Sequence, residues 1–391
     1  MHTGRGVRIA AWTGAVALIV VAAAALRAAT PPEAAFQYNI ISVTDTAPGQ
    51  YPTVTYSVTD PTQGNAPYDI LSHPAFIAPN GVSRLAVLLG WDTRDYTNTG
   101  SGVRSGAALP ISIDALARAI PNGDGTFSVT STTALPLSAM GTGVAAIEGH
   151  PAADLDGDGL YESPVPERSV FKYFPITGTS IVERRKVVEI SKCTQCHVPH
   201  LSLHGSNRTD EPQVCVICHN PNQTDIPFRT SGAESPVHFK YMVHAIHSAK
   251  MRHTPFVVIG RNGSVHDYSE VKFPRDVRNC LNCHIDGTFE LPLPEGRLGT
   301  TIATGSTYGP PKVIDTDPSN DLKITPIAAT CSACHDDRET REHMIRGGAR
   351  FGVLQAAIDS GRVRERCVSC HGPGRSRDVR KEHGLGGRDS N

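Results

Sequence analysis

The chain has no cysteine to spare. Its 391 residues contain 10, and every one belongs to a Cys-x-x-Cys-His motif. None is left for a structural disulfide, and none lies near the N-terminus, which excludes a lipid-modified N-terminal cysteine. Methionine is scarce as well: beyond Met1 there are only Met140, Met242, Met251 and Met344. Charge of one sign is lacking, the formal net charge being −1, so no nucleic-acid partner is indicated. The one long uncharged apolar run, residues 9–26, leaves no second candidate for a membrane span. The body of the chain is therefore expected to be soluble.

The spacing of the cysteines states their chemistry. The motifs are Cys193, Cys196 and His197; Cys215, Cys218 and His219; Cys280, Cys283 and His284; Cys331, Cys334 and His335; and Cys367, Cys370 and His371. Two thiols three residues apart match the two vinyl groups of one haem. The histidine that follows is placed under the iron as its proximal ligand. Zinc ribbons also use Cys-x-x-Cys pairs but need no histidine directly after them, and an odd number of pairs fits Cys₄ sites poorly. A thioredoxin-like dithiol is single and set in a βαβ pattern, which is missing here. Five covalently attached c-type haems are predicted.

The sixth ligand separates electron transfer from catalysis, because a side chain closes the iron and an open position admits substrate. With 17 histidines in the chain, bis-histidine ligation of all five irons is within supply. His244 and His247 share a face if residues 239–250 are helical, and are read as distal ligands of two neighbouring haems. His204 lies between the first two motifs, while His343 and His383 follow the fourth and fifth. His200, His238, His253 and His266 are weaker candidates. His2, His73 and His150 fall outside the haem region and are read as structural or solvent-facing.

Arg5 and Arg8 precede the apolar run, and Ala23 and Ala25 supply an Ala-x-Ala cleavage site. Residues 1–29 thus read as a signal peptide, with an uncleaved N-terminal anchor as the alternative. Export agrees with haem attachment, which takes place outside the cytoplasmic membrane. Composition then divides the chain in two. Residues 34–185 lack cysteine and carry a charge of −6; residues 186–391 hold every motif and carry +3. Haem propionates would offset that positive excess.

The first segment reads as an all-β domain, a small sandwich or split barrel. Val54, Tyr56 and Val58 alternate with polar residues, residues 85–89 form an apolar run ending at Gly90, and residues 127–130 follow an Asn-Gly-Asp-Gly turn. A short helix is expected over 111–120, with Asp114 at its cap. The second segment is expected to be mostly irregular, with haems supplying much of its interior. One helix is predicted over 239–250 and another from 352 through 358 and beyond. Asp154, Asp156, Asp158 and Gly159 match the first half of a calcium loop. Val165 stands where an EF-hand has glutamate, and Glu162 is the nearby substitute. Both a calcium site and an acidic turn fit that run.

Taken together, the run from Cys193 through His204 and Gly205 to His219, Asn220 and Pro221 resembles the OmcA/MtrC family of outer-surface multihaem cytochromes. So do Phe239 and Lys240 leading to His244 and His247, Val271 to Pro274 leading to Cys280, and the ending from Cys367 to Gly374. The resemblance implies a split-barrel β-domain beside a pentahaem domain. It implies distal-ligand roles for His204, His244, His247, His343 and His383, with haems arranged as a chain. It also implies extracellular electron transfer to metal oxides, soluble metals or flavins, with redox proteins as partners. Three departures stand out: one pentahaem half in place of two, no lipid-anchoring cysteine, and no cysteine pair in the β-domain. A periplasmic, extracellular or cell-surface location follows. Membrane contact would come only through an uncleaved N-terminus or a partner conduit.

Three functional readings remain at this level. The first is an electron carrier. The second is a multihaem reductase of nitrite, hydroxylamine or a sulfur oxyanion, with one open haem. Pentahaem nitrite reductases mark that haem with lysine in place of the motif histidine, and all five motifs here end in histidine. The third is a structural haem polymer.

Overall fold

The computed structural model describes residues 35–77, 82–98, 100 and 109–386; the expected signal or anchor lies outside them. From Ala35 onward the chain forms one compact unit. Its first part is two antiparallel sheets, neither closed into a barrel. In one, β1 (Gln37–Thr44) pairs with β2 (Thr53–Asp60). Alternation in β2 places Val54, Tyr56 and Val58 inside, each 0 % exposed, where such burial contributes roughly 1.5–3 kcal/mol per side chain. The second sheet is built on β3 (Arg84–Trp91), which is paired on one side with β4 (Ile111–Asp114). In the first sheet β5 (Phe127–Thr130) pairs with the other side of β2, and the short strands Ala66–Pro67 and Ile120–Pro121 add to β2 and β5. The second adds β6 (Thr142–His150), paired with β3, and β7 (Val170–Pro175) at its edge. Strand β1 packs against β6 and β7, bringing the sheets together.

Three sequence expectations need correction. Residues 111–120 are not a helix. Ile111 and Ile113 face the core while Ser112 and Asp114 face out, a period of two. Asp114 accepts hydrogen bonds from the amides of Leu116 (3.1 Å) and Ala117 (2.9 Å), closing a turn. The expected helix from 352 starts later: Phe351–Val353 is a strand, and the helix is Gln355–Asp359. The helix expected over 239–250 ends at His247, and a 3₁₀ turn, Ala249–Met251, follows.

The motif-bearing half is held by short helices and loops: α1 (Ile190–Cys193), α2 (Pro212–Cys218), α3 (Phe239–His247), α4 (Pro326–Cys331), α5 (Arg338–Arg346), α6 (Val368–His371) and α7 (Val379–Glu382). The two halves share a core, in which Val214, Val216 and Ile217 of α2 pack with Leu88, Tyr96, Val144 and Ala146. Gly90 permits this contact, since a Cβ there would stand 2.8 Å from Ile217 Cγ2. Asn98 latches the joint: its Nδ2 donates to the Ile217 carbonyl (3.0 Å) and its Oδ1 accepts from the Trp91 amide (2.9 Å). The second motif is thereby fixed to the β-sheet.

Candidate haem centres

Each motif folds as one helical turn. The histidine amide donates to the carbonyl of the first cysteine four residues back at His197 (3.0 Å), His219 (3.0 Å), His284 (2.8 Å), His335 (2.8 Å) and His371 (2.8 Å). Two thiols and an imidazole therefore project from the same turn five times over. None of the ten cysteines is in a disulfide. Burial pushes the thiols of Cys215, Cys218 and Cys331 up to about 12.

Every motif histidine faces one other histidine ring. His197 faces His247 with ring centres 6.1 Å apart, His219 faces His204 at 5.9 Å, and His284 faces His244 at 6.0 Å. His335 faces His383 at 6.1 Å, and His371 faces His343 at 6.1 Å. The five facing rings are those of His204, His244, His247, His343 and His383, and the pairing crosses the chain order. Helix α3 sends His244 to the third motif and His247 to the first. The fifth motif takes His343, which follows the fourth, and the fourth takes His383, which follows the fifth. A metal held between two imidazole nitrogens at about 2 Å from each puts the ring centres about 6 Å apart. The donor sets and spacing thus fit a haem iron in each pair.

Backbone and side-chain partners aim these rings. Nδ1 of His247 bonds the Val243 carbonyl, that of His383 the Val379 carbonyl and that of His219 the Val237 carbonyl, each at 2.8 Å. Nδ1 of His284 lies 3.3 Å from the Thr288 hydroxyl. A donating Nδ1 leaves the Nε2 lone pair for a metal. Burial draws His204, His244 and His284 down to about 4, which favours the neutral, ligating form. Phe273 packs edge-on to His247 (5.7 Å) and Phe289 to His284 (5.9 Å). Phe273 lies in the Val271–Pro274 run that carries the family resemblance; nothing in the sequence singles out Phe289. His204 sits at a left-handed φ of +56° in a tight loop. Arg208 ties that loop to the β-sheet through two 2.6 Å bonds to the buried Glu148 carboxylate.

The motifs also lie close to one another. The Glu189 amide donates to the Cys283 carbonyl (3.1 Å) and Lys192 Nζ to the His284 carbonyl (2.6 Å), joining the first motif to the third, and the amides of Ile327 (2.8 Å) and Ala328 (2.7 Å) donate to Glu365, joining the helix of the fourth to the fifth. The exchange of His343 and His383 ties the fourth motif to the fifth a second time. The second motif joins through α3, whose Phe239 amide donates to the His219 carbonyl (2.9 Å). Arg380, on the helix preceding His383, pairs with Asp286 (2.5 Å) and Glu290 (3.2 Å) beside the third motif.

None of the four weaker candidates is among the rings that face a motif histidine. His200 pairs with Asp210 (2.6 Å), and buried His238 bonds the Thr300 hydroxyl (2.8 Å). His266 bonds the Ser264 hydroxyl (3.0 Å), and the backbone at His253 is held by Asp336. Carboxylate oxygens of Asp154, Asp156 and Asp158 lie within 4.8 Å of one another, and Glu162 is not part of that group. Amides of Gly157 (2.7 Å) and Gly159 (2.8 Å) already donate to Asp154.

Repeated Cys-x-x-Cys-His turns on this fold define a multihaem c-type cytochrome. The chain belongs to the OmcA/MtrC family: residues 185–384 match the family described as outer membrane cytochrome MtrC/MtrF-like, domains II/IV. The crystal structure of MtrC from Shewanella baltica OS185 is similar in fold, with a TM-score of 0.51 and 18% identity over 86% of this chain and 51% of that one. The crystal structure of the outer membrane decaheme cytochrome OmcA gives a TM-score of 0.47 and 18% identity over 90% and 48%. The chain spans about half the length of these structures. A comparison with curated proteins finds no match. Among the described residues, no helix is long and apolar enough to cross a membrane.

Proposed function

We propose that the chain is an electron-transfer cytochrome with five bis-histidine haems, acting in electron transfer to acceptors outside the cell. The observation that carries this reading is the set of five histidine pairs, each pairing one motif histidine with one other at 5.9–6.1 Å. When bound, haem supplies reversible one-electron chemistry at iron. The protein's part is to close both axial positions, fix the spacing between neighbours and keep the rings neutral. Residues 34–185 would serve as a β-scaffold and 186–391 as the redox domain, a division supported by a family match that begins at residue 185. The acceptors proposed are metal oxides, soluble metals or flavins, reached with redox protein partners from a periplasmic or cell-surface location. A calcium ion at Asp154, Asp156 and Asp158 is proposed as a stiffener of that turn, because carboxylates alone favour a hard cation.

The test is electron paramagnetic resonance of the oxidised, haem-loaded protein together with its mass. Five haems, all low-spin, are expected. A high-spin haem would mean an open site and move the protein to the reductase class.

A further inference from the structure

Four of the five rings that face a motif histidine are carried by helices of the motif-bearing half. His244 and His247 stand on α3, His343 on α5, and His383 closes α7. His204 is the exception. It stands at the tip of a two-stranded ribbon in which Ser202 pairs with Thr209 and Leu203 with Arg208. His204, Gly205 and Ser206 are all left-handed, with φ of +56°, +68° and +65°. A run of three such residues, two of them not glycine, persists only where its surroundings enforce it. One bond lies within the tip, from Asn207 Nδ2 to the His204 carbonyl (2.7 Å). The β-half holds the ribbon at three further points. The Gly149 amide of β6 donates to the Asn207 carbonyl (2.8 Å), and the Ser169 amide donates to the Thr209 carbonyl (3.0 Å). Arg208 donates from Nε and Nη2 to the two carboxylate oxygens of Glu148 on β6, each at 2.6 Å.

Glu148 is out of character with its strand. All 9 residues of β6 are buried, and Glu148 is the one carboxylate among them. It lies opposite Ala86 of β3. Burial pushes its carboxyl up, and Arg208 opposes this by charge and by hydrogen bonding. A leucine there would avoid the cost, since an apolar pair of similar size commonly serves stability as well as a buried ion pair does. What an apolar pair does not supply is direction. The two parallel bonds of a guanidinium on a carboxylate fix orientation as well as distance. Arg208 is thereby fixed across the ribbon from Leu203, the neighbour of His204. The His204 ring then stands 5.9 Å from that of His219, with the planes at 30°.

We propose that Glu148 and Arg208 are positioning residues for the second haem: through their bond the β-half holds His204 at the sixth position of the iron that His219 ligates. The inference rests on the five-haem reading above. The test uses the haem-loaded full chain, with haems counted by mass and spin states read by electron paramagnetic resonance and absorption. His204→Ala supplies the reference spectrum of an opened second haem. Arg208→Gln is expected to keep all five haems and to turn one of them high-spin, with the spectrum of His204→Ala. Added imidazole is expected to return that haem to low-spin, which it would not do for a haem whose surroundings had unfolded. The double variant Glu148→Leu with Arg208→Met leaves no charge unpaired in the β-half, and is expected to keep the fold and free His204 in the same way. Five low-spin haems in both variants would overturn the assignment. So would a high-spin haem whose spectrum differs from that of His204→Ala, or one that imidazole does not close. Each of these leaves the five-haem reading in place. Fewer than five low-spin haems in the natural protein would overturn that reading and this one with it.

Discussion

His244 and His284 face each other with ring planes only 13° apart, whereas His197 and His247 are turned by 86°. Those angles divide the five pairs into two classes. The His204 and His219 planes meet at 30°, joining the near-parallel class. His335 with His383 at 71°, and His343 with His371 at 82°, join the near-perpendicular one.

Parallel imidazole planes act together to split the two iron orbitals that interact with them, and perpendicular planes cancel that splitting. The low-spin ferric spectrum is therefore expected to contain two haems with rhombic signals and three with a large, highly anisotropic g value. Integrated electron paramagnetic resonance checks the two-to-three ratio. Five signals of one kind would contradict the ring geometry.

Removing one distal ring is expected to open one iron alone. His343 lies on the outer side of α5, so the cost of His343→Ala is expected to fall on its own haem and to leave the β-half folded. One of the five haems is expected to become high-spin, visible in the absorption spectrum, with four unchanged. His253→Ala is expected to leave all five low-spin; a high-spin signal there would displace one of the assigned partners.

Glu167 titrates in an accessible range. Burial raises its carboxyl to about 7, its bond from the Arg168 amide only partly offsetting this. A raised carboxyl favours the protonated folded state. Its contribution is complete below the ordinary carboxylate range and is lost as pH rises through about 7. Glu167→Gln is thus expected to raise Tm by about 2 °C at pH 8 and to leave it unchanged at pH 4. Thermal melts of both proteins at the two pH values decide it, and an equal effect at both would rule out titration as the cause.

Calcium is expected to raise Tm through Asp154, Asp156 and Asp158, and chelation to lower it. Asp156→Asn should weaken that response at least tenfold in calcium concentration, because one of three charged donors is lost. A melting temperature indifferent to calcium would leave the acidic-turn reading standing.

Much of the site is legible in the chain because thioether attachment is local chemistry. Two thiols and a histidine must share one turn, so Cys-x-x-Cys-His declares itself without tertiary information. The strand at Val54, Tyr56 and Val58 declares itself for a similar reason, since its period of two is complete within a few residues. Local signals fail where packing decides. Ile111 and Ile113 fit a short helix or a strand equally well, and only pairing with β3 makes them a strand.

What the sequence by itself determined is the inventory: ten cysteines committed to five motifs, enough histidine for a second ligand each, and a cysteine-free β-segment ahead of them. What only the tertiary structure decided is the wiring. It sends His247 back to the first motif and exchanges His343 and His383 between the last two. Those relationships join residues far apart in the chain, and the packing of α2 on the β-sheet, of α3 among the motifs and of Arg380 on Asp286 and Glu290 brings them within reach.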